Sequence, residues 1–401
     1  MSAGVSVSEC ESESELASGM TLLAWLMLVL LAGILISGLD VLLGFAKVGR
    51  LSGSAPVGEP APTVSIVVAA KDEARHVEAA MRSLLAQRYS RLEIIAVDDR
   101  SSDATGAILD RLASTDARLR VLHVRELPAG WLGKNHALSV GAAAASGSWL
   151  LFSDADVMLA PDALGRAVGQ AERAGLDHLA VMPKLVLPGL LLEAFGLAFL
   201  CWGMAVLRPW KARDPRSWRF VGIGAFNLVR AAAYARVGGH APIRLRPDDD
   251  IKLGKLLKRS GARSDFLFGE ALVAVEWYPT LRQAIQGLMK NSFSIVEYRP
   301  LLMLLGVPFY LVGGLGPLAA LAAGSWLIRG LATLAILLQL TVLVRGAREA
   351  GTPRRVALLY PLMSVLFAWI ILRALVLNLS QGGIVWRGTF YPLRELRKNR
   401  V

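Results

Sequence analysis

The sequence predicts an α/β domain with a mainly parallel sheet, carried by transmembrane helices at both ends of the chain. Three observations predict it. Between residues 62 and 300, short β-rich runs alternate with helical stretches, the pattern of βαβ units. Acidic residues recur just past the carboxyl ends of those runs, the edge at which open α/β sheets bind ligands. Long apolar runs flank this region and lift the hydrophobic share of the 401 residues to 54%, while charged residues fall to 19%, below the roughly 25% of soluble domains.

The elements follow in order. Residues 1–19 hold Glu9, Glu11, Glu13 and Glu15 without Lys or Arg and read as an acidic disordered N-terminus. Residues 20–46 read as a transmembrane anchor, because 20–39 are apolar and uncharged and can cross a ~30 Å hydrocarbon core. A buried core helix is the alternative. Lys47 and Arg50 follow at once, so the positive-inside rule places the N-terminus outside and the next domain in the cytoplasm. Residues 63–70 (TVSIVVAA) are expected as a buried strand and 74–87 as an amphipathic helix. The strand 92–97 runs into Asp98 and Asp99. A helix over 103–114, a strand over 119–124, a helix over 135–145 and a strand over 148–152, ending at Asp154, complete the pattern.

The 18 residues 190–207 carry one charge, yet Asp156 before them and Asp250 after them must meet one substrate, so a single crossing is excluded. Arg208, Trp210, Lys211, Arg213, Arg216, Trp218 and Arg219 then mix cations with indoles, as at a headgroup boundary. An apolar interfacial helix is expected, with a core helix as the alternative. The runs 301–322, 326–344 and 356–379 form the C-terminal membrane segments. If all crossed, the basic tail 380–401, with Arg387, Arg394, Arg397, Lys398 and Arg400, would lie outside, against the charge rule. The last run, interrupted by Pro361 and Arg373, is therefore expected to lie in the interface or re-enter. The chain reads as a multi-pass protein of the inner (plasma) membrane with its globular domain and basic tail cytoplasmic.

Lys and Arg outnumber Asp and Glu by 44 to 32, a net charge of +12 that suits an anionic partner. No nucleic-acid motif accompanies the excess, which leaves anionic lipid and nucleotide phosphates. Cys10 and Cys201 have no companions at metal-ligand spacing. Asp154-Ala155-Asp156 alone would fit a solvated turn. After a hydrophobic strand, and in series with Asp98-Asp99, it suits Mg²⁺ or Mn²⁺ held by hard oxygen ligands against a nucleotide diphosphate. In Arg246-Pro247-Asp248-Asp249-Asp250 three adjacent carboxylates repel, which raises the proton affinity of at least one and suits a general base. The same run also reads as an acidic helix N-terminus.

With these motifs the chain resembles the membrane-bound family 2 glycosyltransferases of the GT-A fold, over residues 62–300, and within them the hopanoid-associated and carotenoid-ester glycosyltransferases. The resemblance implies site residues one by one. Glu73, in Ala69-Ala70-Lys71-Asp72-Glu73-Ala74, helps hold the nucleotide. VDDRSSDAT, residues 97–105, is similar to V-D-D-x-S-x-D-x-T, whose first Asp contacts the uracil ring, and this assigns Asp98 and Asp99 to nucleotide binding. Gly130-Trp131-Leu132-Gly133-Lys134 resembles G-W-x-G-K and makes Lys134 a cation facing the nucleotide. Asp154 serves both donor and metal, and Asp156 the metal. GIGAFNLVR, residues 222–230, resembles the acceptor-side stretch, with Gly222, Gly224, Asn227 and the later Trp277 on that side. Asp250 matches the catalytic Asp of E-D-x-x-L and Asp249 the residue before it.

Two departures stand out. Q-x-x-R-W is absent, and Lys290, in the segment 283–291 that replaces it, is the cation for the departing diphosphate; this argues against a processive polysaccharide synthase. The tail 386–391 (WRGTFY) resembles W-R-G-R-x-Y of lipid-glycosylating relatives, with Thr389 in place of an arginine. The activity implied is inverting, metal-dependent hexosyl transfer from a nucleotide-diphosphate sugar to a lipid acceptor. A polyprenyl-phosphate glycosyltransferase and a non-catalytic nucleotide-binding scaffold are the alternatives.

Overall fold

The computed structural model describes residues 22–401 apart from Gly324 and Arg387, and the side chains of Leu22, Leu23, Lys290 and Asn291 are not among those described. The acidic N-terminus thus lies outside the described residues. The central sheet has eight strands. In chain order these are β1 (Gly49–Arg50), β2 (Val64–Ala70), β3 (Leu92–Asp99), β4 (Leu119–Val124), β5 (Trp149–Asp154), β7 (His178–Met182), β9 (Asn227–Arg230) and β10 (Ser264–Phe268), and in space they run β1-β10-β7-β9-β5-β2-β3-β4. All are parallel except β9, which runs against both β5 and β7. A second sheet joins β6 (Val157–Leu159), β11 (Val273–Glu276) and β8 (Lys184–Val186).

Continuous apolar runs make the middle strands. In β2, six of the seven residues are buried, as in a sheet covered on both faces, and each fully buried Val or Ile contributes about 1.5–3 kcal/mol. The covering helices are α2 (Val77–Leu85), α3 (Thr105–Ala113), α4 (Gly133–Ala144), α5 (Ala163–Arg173), α7 (Ala231–Arg236) and α8 (Asp249–Arg259). The expected strands and helices up to residue 154 all form, with ends within about three residues of those read from the sequence.

Among the described residues five helices are long and apolar enough to cross a membrane: α1 (Leu22–Lys47), α6 (Leu190–Leu207), α10 (Pro300–Ala320), α11 (Trp326–Ala350) and α12 (Tyr360–Ser380). They fall into two groups. The end of α10, the start of α11 and the first half of α1 share one cluster remote from the sheet, around Leu31, Ala320, Ile328 and Ala332. The other end of α11 returns to the globular domain, where Glu349 meets Arg50 at 2.7 Å. By contrast α6 and α12 are packed along their length. Phe195 of α6 stacks on Phe367 of α12 at 4.7 Å, and both belong to the sheet's own core.

Both ends of α12 meet the globular domain. Val356 and Ala357, just before it, lie in the main core, while Ala374 and Leu375 near its end pack with Leu132 and Leu245. The two residues that interrupt the apolar run both lie within this one helix. Pro361 falls in the first turn, where a missing N–H leaves no bond unmade, and the Arg373 guanidinium lies 5.1 Å from the Trp369 ring centre. Of the cations and indoles after α6, Arg216 and Trp218 are exposed, while those nearer the helix are paired or buried. Arg208 and Lys211 pair with Asp40 of α1 at 3.2 and 3.3 Å, Arg213 pairs with Asp265 at 3.2 Å, and Trp210 is buried. The basic tail folds back as well. β12 (Gly383–Trp386) and β13 (Thr389–Pro392) form a hairpin, and α13 (Leu393–Leu396) buries Leu393 and Leu396 against Leu132 and Leu245.

Candidate active site

The carboxyl ends of β2, β3 and β5 stand side by side, with Ala70 opposite Asp98 and Ala69 opposite Asp154 in the ladders. This brings the loop after β2 between the Asp98-Asp99 pair and the Asp154-Asp156 pair. The reversal of β9 matters equally. Because Asn227 opens β9 opposite Phe152 near the end of β5, the preceding Gly222–Gly224 segment arrives at the same edge, and α8 begins beside it.

At the centre lies a small cavity lined by Lys134, Asp154, Gly224, His240, Asp249 and Asp250, among others. Lys134 Nζ is 2.7 Å from Asp154 Oδ1 and 3.6 Å from Asp249 Oδ1. Burial works against its charge, but Asp154, Asp249 and Asp250 outweigh it and hold the ammonium above its ordinary pKa. Asp250 accepts N–H bonds from Gly224 at 2.7 Å and Ile251 at 2.8 Å. Its pKa is raised, first by burial and then by Asp154 and Asp248, against the pull of Lys134. Burial also lifts Asp249 to about 7, with Asp250 and Asp154 adding to the shift and Lys134 opposing it. Gly224 has to be a glycine for close approach: an added Cβ would fall 2.9 Å from Asp154 Oδ2 and 3.4 Å from Lys134 Nζ.

Asp156 lies two residues past the end of β5. Burial, and then repulsion from Asp154 and Glu73, push it up to about 7. Among the described residues no group of three or more His, Cys, Asp or Glu could hold a metal ion. The donor set of Asp154 and Asp156 still fits a hard divalent cation, because their mutual repulsion favours a positive charge between them and substrate oxygens can complete the shell. Tyr278 stands near both, and its hydroxyl is pushed up to about 12 by burial and then by Asp156 and Asp154.

The nucleotide-side residues are more enclosed than their sequence suggests. Asp98 Oδ1 accepts from the Ser101 N–H at 3.2 Å and Oδ2 faces His123 Nδ1 at 3.0 Å. Asp99 is clamped by Arg100 at 2.8 and 3.1 Å, against the first turn of α4. Glu73 is anchored through its N–H on Thr105 Oγ1 at 2.8 Å. Asn227 is buried, with Oδ1 on His178 Nε2 at 2.5 Å, so it forms the floor of the site. Gly222 packs on the Asp250 carbonyl, and Trp277 sits between Phe195 and Phe199 of α6 at 6.1 and 4.7 Å. Lys290 falls in α9 (Leu281–Ile295), but its side chain lies outside the described residues.

Sequence reasoning missed the groups behind the triple-Asp run. Asp248 faces away from the cavity into the guanidinium of Arg246, and Glu297 completes that pairing from a distant turn. Arg246 stood two residues from Asp248 and offered a local signal. Glu297, 49 positions beyond Asp248, offered none.

Residues 65–192 match the Glycosyl transferase family 2 profile. Succinoglycan biosynthesis protein ExoO of Rhizobium meliloti is 34% identical over 131 residues, 32% of this chain and 36% of that protein. The 4,4'-diaponeurosporenoate glycosyltransferase of Staphylococcus haemolyticus is 23% identical over 273 residues, 66% of this chain and 70% of the relative. The matched region thus spans about a third of the first of these relatives. Among solved structures, the mannosyltransferase PcManGT from Pyrobaculum calidifontis, in complex with GDP-Man and Mn²⁺, shares the fold at a TM-score of 0.57 and 19% identity, over 88% of this chain and 98% of that one.

Proposed function

From the glycosyl transferase family 2 domain that this chain carries, we propose that the protein is a membrane-anchored inverting glycosyltransferase that moves a sugar from a nucleotide diphosphate to a hydroxyl of a lipid acceptor. The observation that carries this reading is the convergence of Lys134, Asp154, Asp249 and Asp250 on one cavity at the carboxyl edge of the sheet. The acceptor assignment draws support from the apolar helices and from the carotenoid-related relative.

Asp250 acts as the base. Its carboxylate, oriented by the Gly224 and Ile251 N–H groups, takes the acceptor proton, and its raised proton affinity favours that transfer. The acceptor oxygen attacks the anomeric carbon, the bond to the nucleotide diphosphate breaks, and one displacement inverts the configuration. Asp156 and Asp154 would hold Mg²⁺ or Mn²⁺, which when bound supplies positive charge against the diphosphate. Lys134 keeps the three neighbouring carboxylates from repelling the donor, while Glu73 and the Asp98-Asp99 loop shape the nucleotide side. Lys290 adds a second cation for the departing diphosphate. The catalytic domain is cytoplasmic, on the inner (plasma) membrane, in line with Lys47 and Arg50 after the anchor.

Detergent-solubilised protein incubated with UDP- and GDP-sugars, Mn²⁺ and a total lipid extract should yield lipids heavier by one hexose in mass spectra. Donor hydrolysis without any glycosylated lipid would overturn the acceptor assignment. Calorimetric titration should show weak Mn²⁺ binding to the free protein and clear binding once UDP or GDP is present; tight metal binding that survives Asp156→Ala would remove the metal assignment.

A further inference from the structure

We infer that Glu297 is a positioning residue for this reaction: from the turn that leads into α10 it fixes, through Arg246 and Lys252, the first turn of α8 that presents Asp249 and Asp250. The inference rests on the reading of Asp250 as base. Arg246 is fully buried, and its guanidinium makes four hydrogen bonds that use all three nitrogens. Nε and Nη2 reach the two oxygens of Asp248 at 3.0 and 3.1 Å, Nη1 reaches Glu297 Oε2 at 2.9 Å, and Nη2 also donates to the Ser294 carbonyl at 2.8 Å. Lys252, one turn along α8, contacts Glu297 and lies 3.6 Å from Asp248. Arg246, Lys252, Asp248 and Glu297 thus form a quartet, with the first three buried and Glu297 half-buried at its rim, where Lys255 joins as a third cation 4.0 Å from Glu297.

Asp248 immediately precedes α8 and places its carboxylate on Arg246 rather than in a capping bond, and Asp249 and Asp250 are the first two residues of the helix. Any rotation of this turn that moves Asp248 out of the set swings the next two carboxylates away from Lys134 and Gly224. Glu297 is the one member of the quartet from another segment. It and Tyr298 hold φ values of +54° and +55°, a left-handed pair that non-glycine residues keep only when the surroundings enforce it. The surroundings do so, with Tyr298 buried and the Arg246 guanidinium 5.3 Å from its ring centre. Without Glu297, Arg246 and Lys252 would share a single carboxylate, and a buried unbalanced charge drives rearrangement. The turn also connects α9 to α10, so the geometry of the base is tied to the point where the chain enters a candidate membrane helix.

The test uses the full-length protein with lipid acceptor and nucleotide sugar. Glu297→Gln should lower kcat by roughly 10- to 100-fold, with the nucleotide-sugar KM within about twofold of wild type, as expected when geometry at the reacting groups alone is lost. Glu297→Asp, which keeps the charge, should recover part of that kcat. The charge-balanced double variant Glu297→Gln with Lys252→Met should turn over faster than Glu297→Gln alone. Wild-type kcat in Glu297→Gln, or kcat and donor binding falling together without rescue by Asp or by the double variant, would overturn the inference. If Glu297→Gln does not fold, Glu297→Asp decides, since wild-type kcat in that variant overturns the proposal and a reduced kcat at unchanged KM supports it. Full turnover in Asp250→Asn would overturn the base assignment and this inference with it, whereas an inactive Asp250→Asn beside a fully active Glu297→Gln would remove this inference alone.

Discussion

Asp249 and Asp250 are adjacent and both raised in proton affinity, Asp249 buried and Asp250 half-buried, so the choice between them rests on what each touches. Asp250 is oriented by two backbone N–H groups, while Asp249 faces Lys134. Asp250→Asn should keep nucleotide-sugar binding and lose roughly 10²- to 10⁴-fold in turnover, measured by single-turnover transfer; an active Asp250→Asn beside an inactive Asp249→Asn would move the base by one residue. Asp249 has a pH signature of its own. A carboxyl raised from 3.8 to about 7 in the fold weakens the folded state above that pH and ceases to do so as protons bind below it, at about 1.4 kcal/mol per pH unit for such a group. Thermal melts should therefore show Asp249→Asn gaining most over wild type near pH 8 and progressively less towards pH 5. His178 and His240 act in the opposite sense, since burial holds them near about 4 and 3, and both proteins lose their contribution alike as pH falls below about 6.5. Gly224→Ala should reduce transfer sharply with little change in melting temperature, because the new methyl meets Asp154 and Lys134 in the cavity. The acidic residues of this site were legible because each sits at a strand end or a helix start, where sequence pattern locates it. Their partners were not: Lys252 and Glu297 meet only through the tertiary fold, and no local period marks such a pair.

Strands β2, β3 and β5 were legible because sheet interiors buried on both faces leave continuous apolar runs, whereas β4, at the sheet edge, is mostly half-buried and showed only by its β-rich residues. The reversed β9 was not, although it alone brings the Gly222–Gly224 segment to the catalytic edge. Its four residues are too short for a periodic signal. The apolar helices show the same limit, since length and hydropathy are nearly equal for those that can cross and those that are packed on the domain. What separates them is where their ends go. Both ends of α12 meet the globular domain, one side of it is buried, and Leu362, Val365, Trp369 and Val376 form an exposed apolar stripe on the other. Such a helix suits the plane of the interface better than a crossing. In sealed vesicles, cysteines replacing Arg354 and Gln381, at its two ends, should react with an impermeant maleimide from the same side as one replacing Ser102, with the native cysteines changed to serine. A cysteine replacing Ala322, between α10 and α11, should react from the other side. Labelling of the Gln381 position together with Ala322 would mean that α12 crosses.

At the scale of the whole chain, the C-terminal tail joins pieces that the sequence separates by more than a hundred residues. The Tyr391 hydroxyl lies close to the Gly133 N–H, next to Lys134. Leu393 and Leu396 pack on Leu132 and Leu245, Asn399 accepts from the Leu245 N–H at 3.0 Å and donates to the Pro242 carbonyl at 2.8 Å, and Lys255 of α8 reaches the Val401 carbonyl. The loops so held are those that carry Lys134 and Arg246, so the tail acts on both sides of the cavity although none of its residues lines it. Sequence read this segment as a basic cytoplasmic tail with a W-R-G-R-x-Y-like motif at 386–391, and its packing was not legible because its few buried residues do not recur at a helical or strand period. A tail that is only a basic appendage and one that is a strap differ in what its removal does. An appendage can be cut without consequence for catalysis in detergent, where no membrane charge is present to attract it. A strap cannot: a chain ending at Ser380 loses the apolar contacts of Tyr391, Leu393 and Leu396, and the segments at Gly133 and Leu245 gain freedom together. Its transfer rate should fall at least tenfold, the scale of a displaced catalytic group, and its melting temperature should drop. Asn399→Ala, which removes two hydrogen bonds worth about 1 kcal/mol each, should show the same two changes in smaller measure, and wild-type rates in both variants would leave the tail without a part in the reaction.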